Sequence, residues 1–212
     1  MKLTKFEHSC VLVEDGENIF LTDPGIYAWE SGNLNIDSLP QIGTVIVTHK
    51  HGDHFAEPFA KALIQKLPDI LWVAPSDLHS TLKDFGVKNV TNQTNEIFKV
   101  TEGEHDLVEP FGVQVKNLIV DYQDKITITG DTHNYSITNQ VLFLAVQAPW
   151  GTTINALRLA IKLRPNYILP VHDWMWNQDW KQNVYDRFEN VLKENGINFL
   201  KPANGQQIEI DL

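Results

Sequence analysis

The stretch "TVIVTHKHGDHF" places three histidines and an aspartate within six positions, directly after a β-branched run. In an extended segment, side chains two positions apart point the same way, so His49 and His51 can reach one ion. Asp53 and His54 then face a neighbouring point, provided that Gly52 lets the chain turn between the two pairs. Imidazole and carboxylate are ligands of catalytic zinc, and with less preference of manganese or iron. This spacing predicts a catalytic metal site.

Three downstream segments show the same arrangement, a β-rich run that ends in His or Asp. "EIFKVTEGEH" ends at His105, "KITITGD" at Asp131 and "NYILPVH" at His172. Functional side chains of α/β folds gather where strands give way to loops. Two metal ions need more than four ligands, so these residues are candidates to complete a site for two ions.

The other histidines allow more than one interpretation. His79 lies on a predicted helix away from the ligand runs, which favours a solvated or half-buried position. His8 precedes the first core strand, and His133 follows Asp131 by two positions. Both could reach the pocket, either to support a ligand or to face the substrate.

Residues beside the candidate ligands are also ambiguous. Lys50 alternates away from its histidine neighbours, which indicates a surface or packing role. Asp173 could orient the imidazole before it in the chain or cap the following helix. The segment "HDWMWNQDW" contains Trp174, Trp176 and Trp180, which either pack in the core or form an aromatic wall over the metals.

The elements that must position these residues follow from periodicity and turn signals. Strand-like runs occupy residues 3–6, 10–13, 18–21, 44–48, 70–74, 96–100, 113–120, 125–129, 141–146, 166–170, 197–200 and 207–210. Amphipathic helices are predicted over residues 57–67, 76–86, 153–163 and from about Trp180 to before Gly196. Two runs of strands, each followed by helices, predict two packed sheets with helices outside, in one α/β domain over residues 1–212.

Composition limits the classes of function. The formal net charge is −10 and no Lys or Arg cluster could follow a phosphate backbone, which disfavours nucleic-acid binding and favours a small or neutral substrate. Cys10, the one cysteine, lies in an apolar run, so we expect a buried residue in a reducing compartment. We find no apolar signal segment and no run of about 18 apolar residues, so we expect a cytoplasmic protein that does not span a membrane.

The order of the motifs is similar to that of a known superfamily. His-x-His-x-Asp-His, a later His, Gly-Asp-Thr and Pro-x-His, over about residues 8 to 172, resemble the metallo-β-lactamase-fold hydrolases. Within that superfamily, "EHSCVLVED" followed by Asp23 and Pro24 resembles the small metal-dependent hydrolases that include L-ascorbate-6-phosphate lactonase. The resemblance implies a four-layer αββα sandwich.

The resemblance also implies a ligand set. It assigns His49, His51 and His105 to one metal and Asp53, His54 and His172 to a second, with Asp131 between them. The two ions would be zinc, or else manganese or iron, and a bridging water that ionises near neutral pH would attack a lactone, ester, amide or phosphodiester. Asp53 and Asp131 would also orient this nucleophile, and His133 is the candidate for an additional acid or oxyanion donor.

Two alternatives belong to other classes of protein. Some proteins of this fold are iron-dependent oxidoreductases, although the di-iron reductases carry a glutamate where this chain has His51. A non-catalytic metal-binding sensor or scaffold is the other. The missing export signal and the form of the histidine motif disfavour a β-lactam substrate, and no extra domain or basic surface indicates nucleic-acid processing.

Overall fold

The structure is a computed structural model and describes residues 1–107, 110 and 112–212. The described residues form two β-sheets and five α-helices. The strands are β1 (Lys2–Lys5), β2 (Val11–Asp15), β3 (Asn18–Thr22), β4 (Thr44–Ile46), β5 (Leu71–Val73), β6 (Asn89–Thr91), β7 (Phe98–Glu104), β8 (Lys116–Tyr122), β9 (Ile126–Ile128), β10 (Val141–Ala145), β11 (Tyr167–Val171), β12 (Asn198–Phe199) and β13 (Gln207–Glu209). The helices are α1 (Ile26–Glu30), α2 (Glu57–Lys66), α3 (His79–Asp84), α4 (Thr153–Leu163) and α5 (Gln178–Glu194).

Each sheet combines antiparallel and parallel strands. The first has the order β13-β1-β2-β3-β4-β5-β6, and the second has the order β12-β11-β10-β9-β8-β7. β1 to β3 and β7 to β9 are antiparallel, whereas β3 to β6 and β9 to β12 are parallel. β10 is buried along its whole length, as its continuous apolar sequence predicts for a central parallel strand.

Three apolar layers hold the sheets and helices together. Side chains such as Val11, Phe20 and Leu118 fill the space between the two sheets. A second layer packs α1, α2 and α3 on the outer face of the first sheet, and a third packs α4 and α5 on the outer face of the second. The two-sheet sandwich with helices outside, an αββα fold, is therefore confirmed.

Most elements lie where the sequence predicts them. Helix α4 has the predicted bounds because Thr152 caps its start through the backbone N–H of Asn155, and Arg164 ends it in the left-handed conformation. The predicted helix over residues 76–86 is instead a 3-10 turn (Ser76–Leu78) followed by the shorter α3. The sequence analysis missed α1 and β6, which are too short for a clear period.

The candidate ligands lie at one edge of the sandwich. His49 follows β4, His105 follows β7, Asp131 follows β9 and His172 follows β11, each at the carboxyl end of its strand. A hydrogen bond from Leu118 N–H to Thr48 O, 2.8 Å long, joins the two sheets at this edge. None of the helices that the structure describes is long and apolar enough to cross a membrane.

Candidate metal centre

The structure brings all seven predicted ligands together. Ligand atoms within 4.8 Å of one another form three overlapping groups, which are His49, His51 and His105; His49, His54 and Asp131; and His8, Asp53, His54 and His172. In the first group the three imidazole rings lie 4.8 Å apart, centroid to centroid. Asp131 lies between the His49 group and His172, as the resemblance implies for a shared ligand.

Backbone carbonyls orient two of the imidazoles. Nδ1 of His105 lies 2.5 Å from Asp106 O, and Nδ1 of His172 lies 2.5 Å from Gln147 O. A ring nitrogen that meets a carbonyl carries the hydrogen, so Nε2 is the nitrogen left to bind a metal. Both Nε2 atoms face Oδ2 of Asp131, at 3.2 Å for His105 and 3.0 Å for His172.

A buried carboxylate orients His54. Nδ1 of His54 donates to Oδ2 of Asp23 at 2.9 Å, and the backbone N–H of Thr48 donates to Oδ1 of Asp23 at 2.7 Å. Nε2 of His54 is thereby directed to the centre, 3.2 Å from Oδ1 of Asp131. The "DP" pair that supported the resemblance thus contains a residue that supports a candidate ligand.

Three polar atoms at the centre are buried and make no well-aligned hydrogen bond to any residue that the structure describes, although two of them, on His54 and Asp131, lie 3.2 Å apart. They are Nε2 of His49, Nε2 of His54 and Oδ1 of Asp131. Both histidines are fully buried, at 0% exposure. An unpaired buried polar atom is costly, and three that face one point fit a metal ion. Two ligand atoms 2.0–2.1 Å from one zinc ion lie roughly 3 to 3.4 Å apart, as His105, His54 and Asp131 do here.

Side chains from distant segments hold Asp131. The indole Nε1–H of Trp150 donates to Oδ2 of Asp131 at 3.1 Å, and Oδ1 of Asn117 accepts the Asp131 backbone N–H at 3.0 Å. Gly130 has a φ of +56°, and a Cβ there would lie 2.3 Å from Oδ1 of Asn117. Glycine is therefore required before Asp131. The sequence analysis did not identify Trp150 or Asn117, because no local spacing connects them to the motif.

His8 orients Asp53 instead of acting as an independent ligand. The backbone N–H of Trp174 donates to Nδ1 of His8 at 3.3 Å, so the hydrogen of the neutral ring sits on Nε2. Nε2 lies 3.2 Å from Oδ2 of Asp53, to which it donates. Burial lowers the pKa of His8 to about 4, which keeps the ring neutral near pH 7. Of the two roles left open for His8, the structure supports the positioning of a ligand.

The turn within the histidine motif corrects the role expected for Gly52. Its φ is not positive, and a Cβ at Gly52 would meet no atom within 4 Å. The glycine that the geometry requires is Gly25, where a Cβ would lie 1.7 Å from the carbonyl oxygen of Asp53. A hydrogen bond of 2.8 Å from Ile26 N–H to Gly52 O presses the two segments together. The motif therefore depends on a glycine outside it.

The pKa values of the candidate ligands are shifted in different directions. Burial lowers the pKa of His49 well below its ordinary value, and the neighbouring His54 lowers it further. Burial also opposes charging of His54 and His172, but the neighbouring carboxylates, Asp131 first among them, together outweigh burial, so the pKa of His54 lies well above its usual value and that of His172 is about 10. Burial raises the pKa of Asp131, yet His172 and His54 hold it well below its ordinary value.

His133 lies beside the centre without joining the ligand groups. Its Nε2 lies 2.9 Å from Ala145 O, and its backbone N–H donates to Oδ2 of Asp106 at 2.8 Å. Its ring meets the ring of Trp150 edge to face, with the centroids 4.9 Å apart. The half-buried ring lines a cavity next to the centre. Its role as an acid or oxyanion donor stays a prediction.

Asp173 has neither of the two roles expected for it. Lys5 at 2.6 Å, Lys181 at 2.7 Å and the hydroxyl of Tyr185 bind its carboxylate, so it does not contact the imidazole of His172. The residue that caps α5 is Asn177. Asp173 instead ties the loop after β11 to β1 and α5, and this was not apparent because Lys5 is remote in sequence.

Trp174 and Trp176 follow one alternative each, whereas Trp180 follows neither. Trp174 is half exposed and stacks on Tyr27, with the ring centroids 3.8 Å apart and the planes inclined by 4°, and Tyr27 meets the ring of His8 edge to face. This pair forms an aromatic wall beside the group of His8, Asp53, His54 and His172. Trp176 packs in the layer under α4 and α5, and Trp180 is exposed.

Two minor expectations agree with the structure. His79 is half-buried, and its Nε2 lies 2.9 Å from Ala74 O, away from the candidate ligands. Lys50 is on the surface, where it forms a 3.1 Å ion pair with Asp77. Neither side chain contacts the candidate centre. Both are therefore suitable positions for control substitutions.

Comparisons with known proteins agree with this fold. Residues 2–172 match the family described as the beta-lactamase superfamily domain. A UPF0173 protein of Pyrococcus furiosus is 23% identical over 224 residues, which cover 98% of this chain and 100% of that protein. A UPF0173 metal-dependent hydrolase of Shouchella clausii is 34% identical over 90 residues, or 42% of this chain and 38% of that protein. The metallo-beta-lactamase fold protein YhfI of Bacillus subtilis superposes with a TM-score of 0.71 at 16% identity, over 98% of each chain.

Proposed function

Because the chain belongs to the beta-lactamase superfamily domain family, we propose that it is a metal-dependent hydrolase of a small-molecule ester, lactone, amide or phosphodiester. The name of the Shouchella clausii relative, a metal-dependent hydrolase, supports this class of reaction. The likeness to the lactonase branch supports lactones as the first substrates to assay.

The observation that carries the proposal is the set of unpaired buried atoms. Nε2 of His49, Nε2 of His54 and Oδ1 of Asp131 converge with no well-aligned hydrogen bond to any of the described residues. The protein stabilises this arrangement through Asp23, Thr48 and backbone carbonyls that bind the opposite ring nitrogens. Such orientation of a metal-binding imidazole by its other nitrogen is the usual support of a metal ligand.

We assign two divalent ions to the centre, with zinc as the first choice and manganese or iron as alternatives. His49, His51 and His105 would hold one ion, Asp53, His54 and His172 the other, and Asp131 would contact both. When bound, such ions lower the pKa of a water molecule toward 7 and polarise a carbonyl or phosphoryl oxygen. Asp53 and Asp131 would orient the water. His133, whose Nε2–H meets Ala145 O, would donate to the substrate from Nδ1 only in its doubly protonated form.

The first experiment measures metal content per chain by elemental analysis. The samples are the wild type, His49→Ala, His105→Ala and the control His79→Ala, each with and without a chelator. The same samples are assayed against lactones, aryl esters and phosphodiesters. We expect about two zinc or manganese ions in the wild type and in His79→Ala, fewer in the two ligand variants, and turnover that the chelator abolishes.

Other outcomes separate the alternatives. Bound iron with no hydrolysis would favour an oxidoreductase of the same fold, and bound zinc with no turnover on any substrate would favour a non-catalytic metal-binding protein. Equal metal content in His49→Ala, His105→Ala and His79→Ala would contradict the assignment of ligands.

A further inference from the structure

A cavity of about 420 Å³ adjoins the candidate metal centre. Its wall is formed by Asp106, His133, Trp150, Gly151, Asn155, Arg158, Leu159 and Lys162. We call it the basic cavity. Its volume is within the range of pockets that take small molecules, about 300–1,000 Å³.

Trp150 connects the basic cavity to the candidate centre. Its ring lines the cavity, and its indole N–H donates to Oδ2 of Asp131 at 3.1 Å. The same ring lies 6.0 Å from the ring of His105 and 6.3 Å from that of His172. Trp150 therefore contacts both the basic cavity and a candidate ligand, Asp131.

The far wall of the cavity carries two positive charges. Arg158 and Lys162 are four residues apart on α4, so they share one face of this helix, and both are exposed. Neither forms an ion pair with any residue that the structure describes. Two like charges at this spacing repel each other and weaken the helix. An anion bound between them would remove that repulsion.

Among the residues that the structure describes, Asp106 is the one acid that lines the basic cavity, and its carboxylate is already engaged. Oδ1 of Asp106 accepts from the hydroxyl of Thr132 at 2.9 Å, and Oδ2 accepts from the backbone N–H of His133 at 2.8 Å. Its oxygens therefore support the loop that follows Asp131. The cavity keeps a local excess of positive charge in a chain whose formal net charge is −10.

We propose that Arg158 and Lys162 bind an anionic group of the substrate, a carboxylate or a phosphate, at a distance from the bond that is cleaved. The inference rests on the proposed hydrolase and specifies its substrate class as small organic anions. It narrows the small or neutral substrate expected from net charge to a small anionic one, because the local arrangement of charge, and not its sum, decides which ligand a pocket attracts. Trp150 and Leu159 offer apolar contacts to the part of the substrate between its two ends.

The first test measures binding without catalysis. Metal-free protein is titrated calorimetrically with phenylphosphonate, benzoate and the neutral analogue benzamide. We expect the wild type to bind an anion and not benzamide, and the double variant Arg158→Gln/Lys162→Gln to bind it at least about tenfold more weakly, because hydrogen bonds to charged groups are lost. Tighter binding of phenylphosphonate supports a phosphate-bearing substrate, and tighter binding of benzoate supports a carboxylate.

The matched control is Arg187→Gln, which removes a positive charge from the exposed face of α5, outside the basic cavity. It should bind the anions as the wild type does. The inference is wrong if the wild type binds neither anion, or if the double variant binds them as tightly as Arg187→Gln does.

A kinetic test separates this inference from the proposed function. The metal-loaded wild type and variants are assayed with neutral phenyl acetate and with the monophenyl ester of succinate, which carries a carboxylate. The ratio of kcat/KM for the anionic ester to that for the neutral ester should fall about tenfold in the double variant. Hydrolysis of both esters with an unchanged ratio would overturn the anion site alone. Anion binding that depends on Arg158 and Lys162, with no hydrolysis of these esters or of the lactones and phosphodiesters of the first experiment, would overturn the hydrolase alone.

Discussion

Asp23 and His54 are joined by a 2.9 Å hydrogen bond between two buried side chains that lie 31 positions apart in the sequence. This bond determines which ring nitrogen of His54 faces the candidate centre. Asp23 has a φ of +41°, a conformation that asparagine also tolerates. The substitution Asp23→Asn therefore removes the charge with little change in shape.

We expect Asp23→Asn to weaken zinc binding by about tenfold to a hundredfold, as is usual when the partner of a metal-binding imidazole is lost. Competition with a fluorescent chelator measures this affinity. Asp69→Asn, which affects an exposed ion pair with Lys88, is the matched control and should bind zinc as the wild type does. Equal zinc affinity in the two variants would show that Asp23 does not support the site.

Gly25 and Gly52 provide a paired test of the turn. A methyl group at Gly25 overlaps the Asp53 carbonyl, so Gly25→Ala should lower the free energy of unfolding by about 3 kcal/mol or more and reduce the metal content. Gly52→Ala places its methyl group in open space and should change stability by no more than about 0.5 kcal/mol. Urea denaturation and elemental analysis measure both effects. The reverse order of the two variants would contradict this account of the loop.

Lys5 and Asp173 form a fully buried ion pair that Lys181 and Tyr185 complete. Burial lowers the pKa of Lys5 to about 8, so the amine remains mostly charged at neutral pH. Lys5→Met leaves the carboxylate short of one partner and should cost about 3 kcal/mol of stability. Lys61→Met breaks an exposed pair with Glu57 and should cost less than about 1 kcal/mol. Chemical denaturation compares the two, and similar losses would show that the buried pair contributes no more than a surface pair.

Asp15 joins the two sheets and should contribute to acid sensitivity. Its Oδ2 accepts from the Tyr122 hydroxyl at 2.7 Å and from Nζ of Lys125 at 2.5 Å. Burial raises the pKa of Asp15, but Lys125 and Tyr122 outweigh burial and lower it below its ordinary value. Its contribution is therefore present above the unfolded-state pKa of about 3.9 and is lost as the pH falls through the lower folded-state value.

Asp15→Asn should consequently lose less stability than the wild type between pH 5 and pH 3. Thermal melts of metal-free protein across this range measure the difference. Asp124→Asn, at an exposed carboxylate in the neighbouring turn, is the control and should follow the wild-type profile. An Asp15→Asn profile parallel to that of the wild type would exclude this linkage.

The sequence by itself determined the fold and the chemical types at the site. A period of two marks the strands and a period of about 3.6 marks helices such as α4, because each period follows from the local geometry of one element. The candidate ligands were found in the same way. Each is a His or Asp where an apolar strand ends, and the parallel strands of an α/β fold place these ends at one edge.

Only the tertiary structure decided which residues support those ligands. Trp150 meets Asp131, His8 meets Asp53 and Asp23 meets His54 across loops and between sheets. Periodicity indicates which face a side chain occupies within its own element, but not which side chain of another element it contacts. The way in which the two sheets pack against each other decides those contacts, and this packing depends on the whole chain.

The same reason explains the corrected expectations. Gly52 was expected to allow the turn because it lies in the motif, yet the close approach is at Gly25, which a different segment presses against Asp53. Asp173 was interpreted from its neighbours in sequence, whereas Lys5 on a distant strand holds it. The basic cavity likewise arises because α4 packs beside the loop that carries Trp150. Spacing along the chain determines local geometry, and contacts between distant segments exist only once the layers have packed.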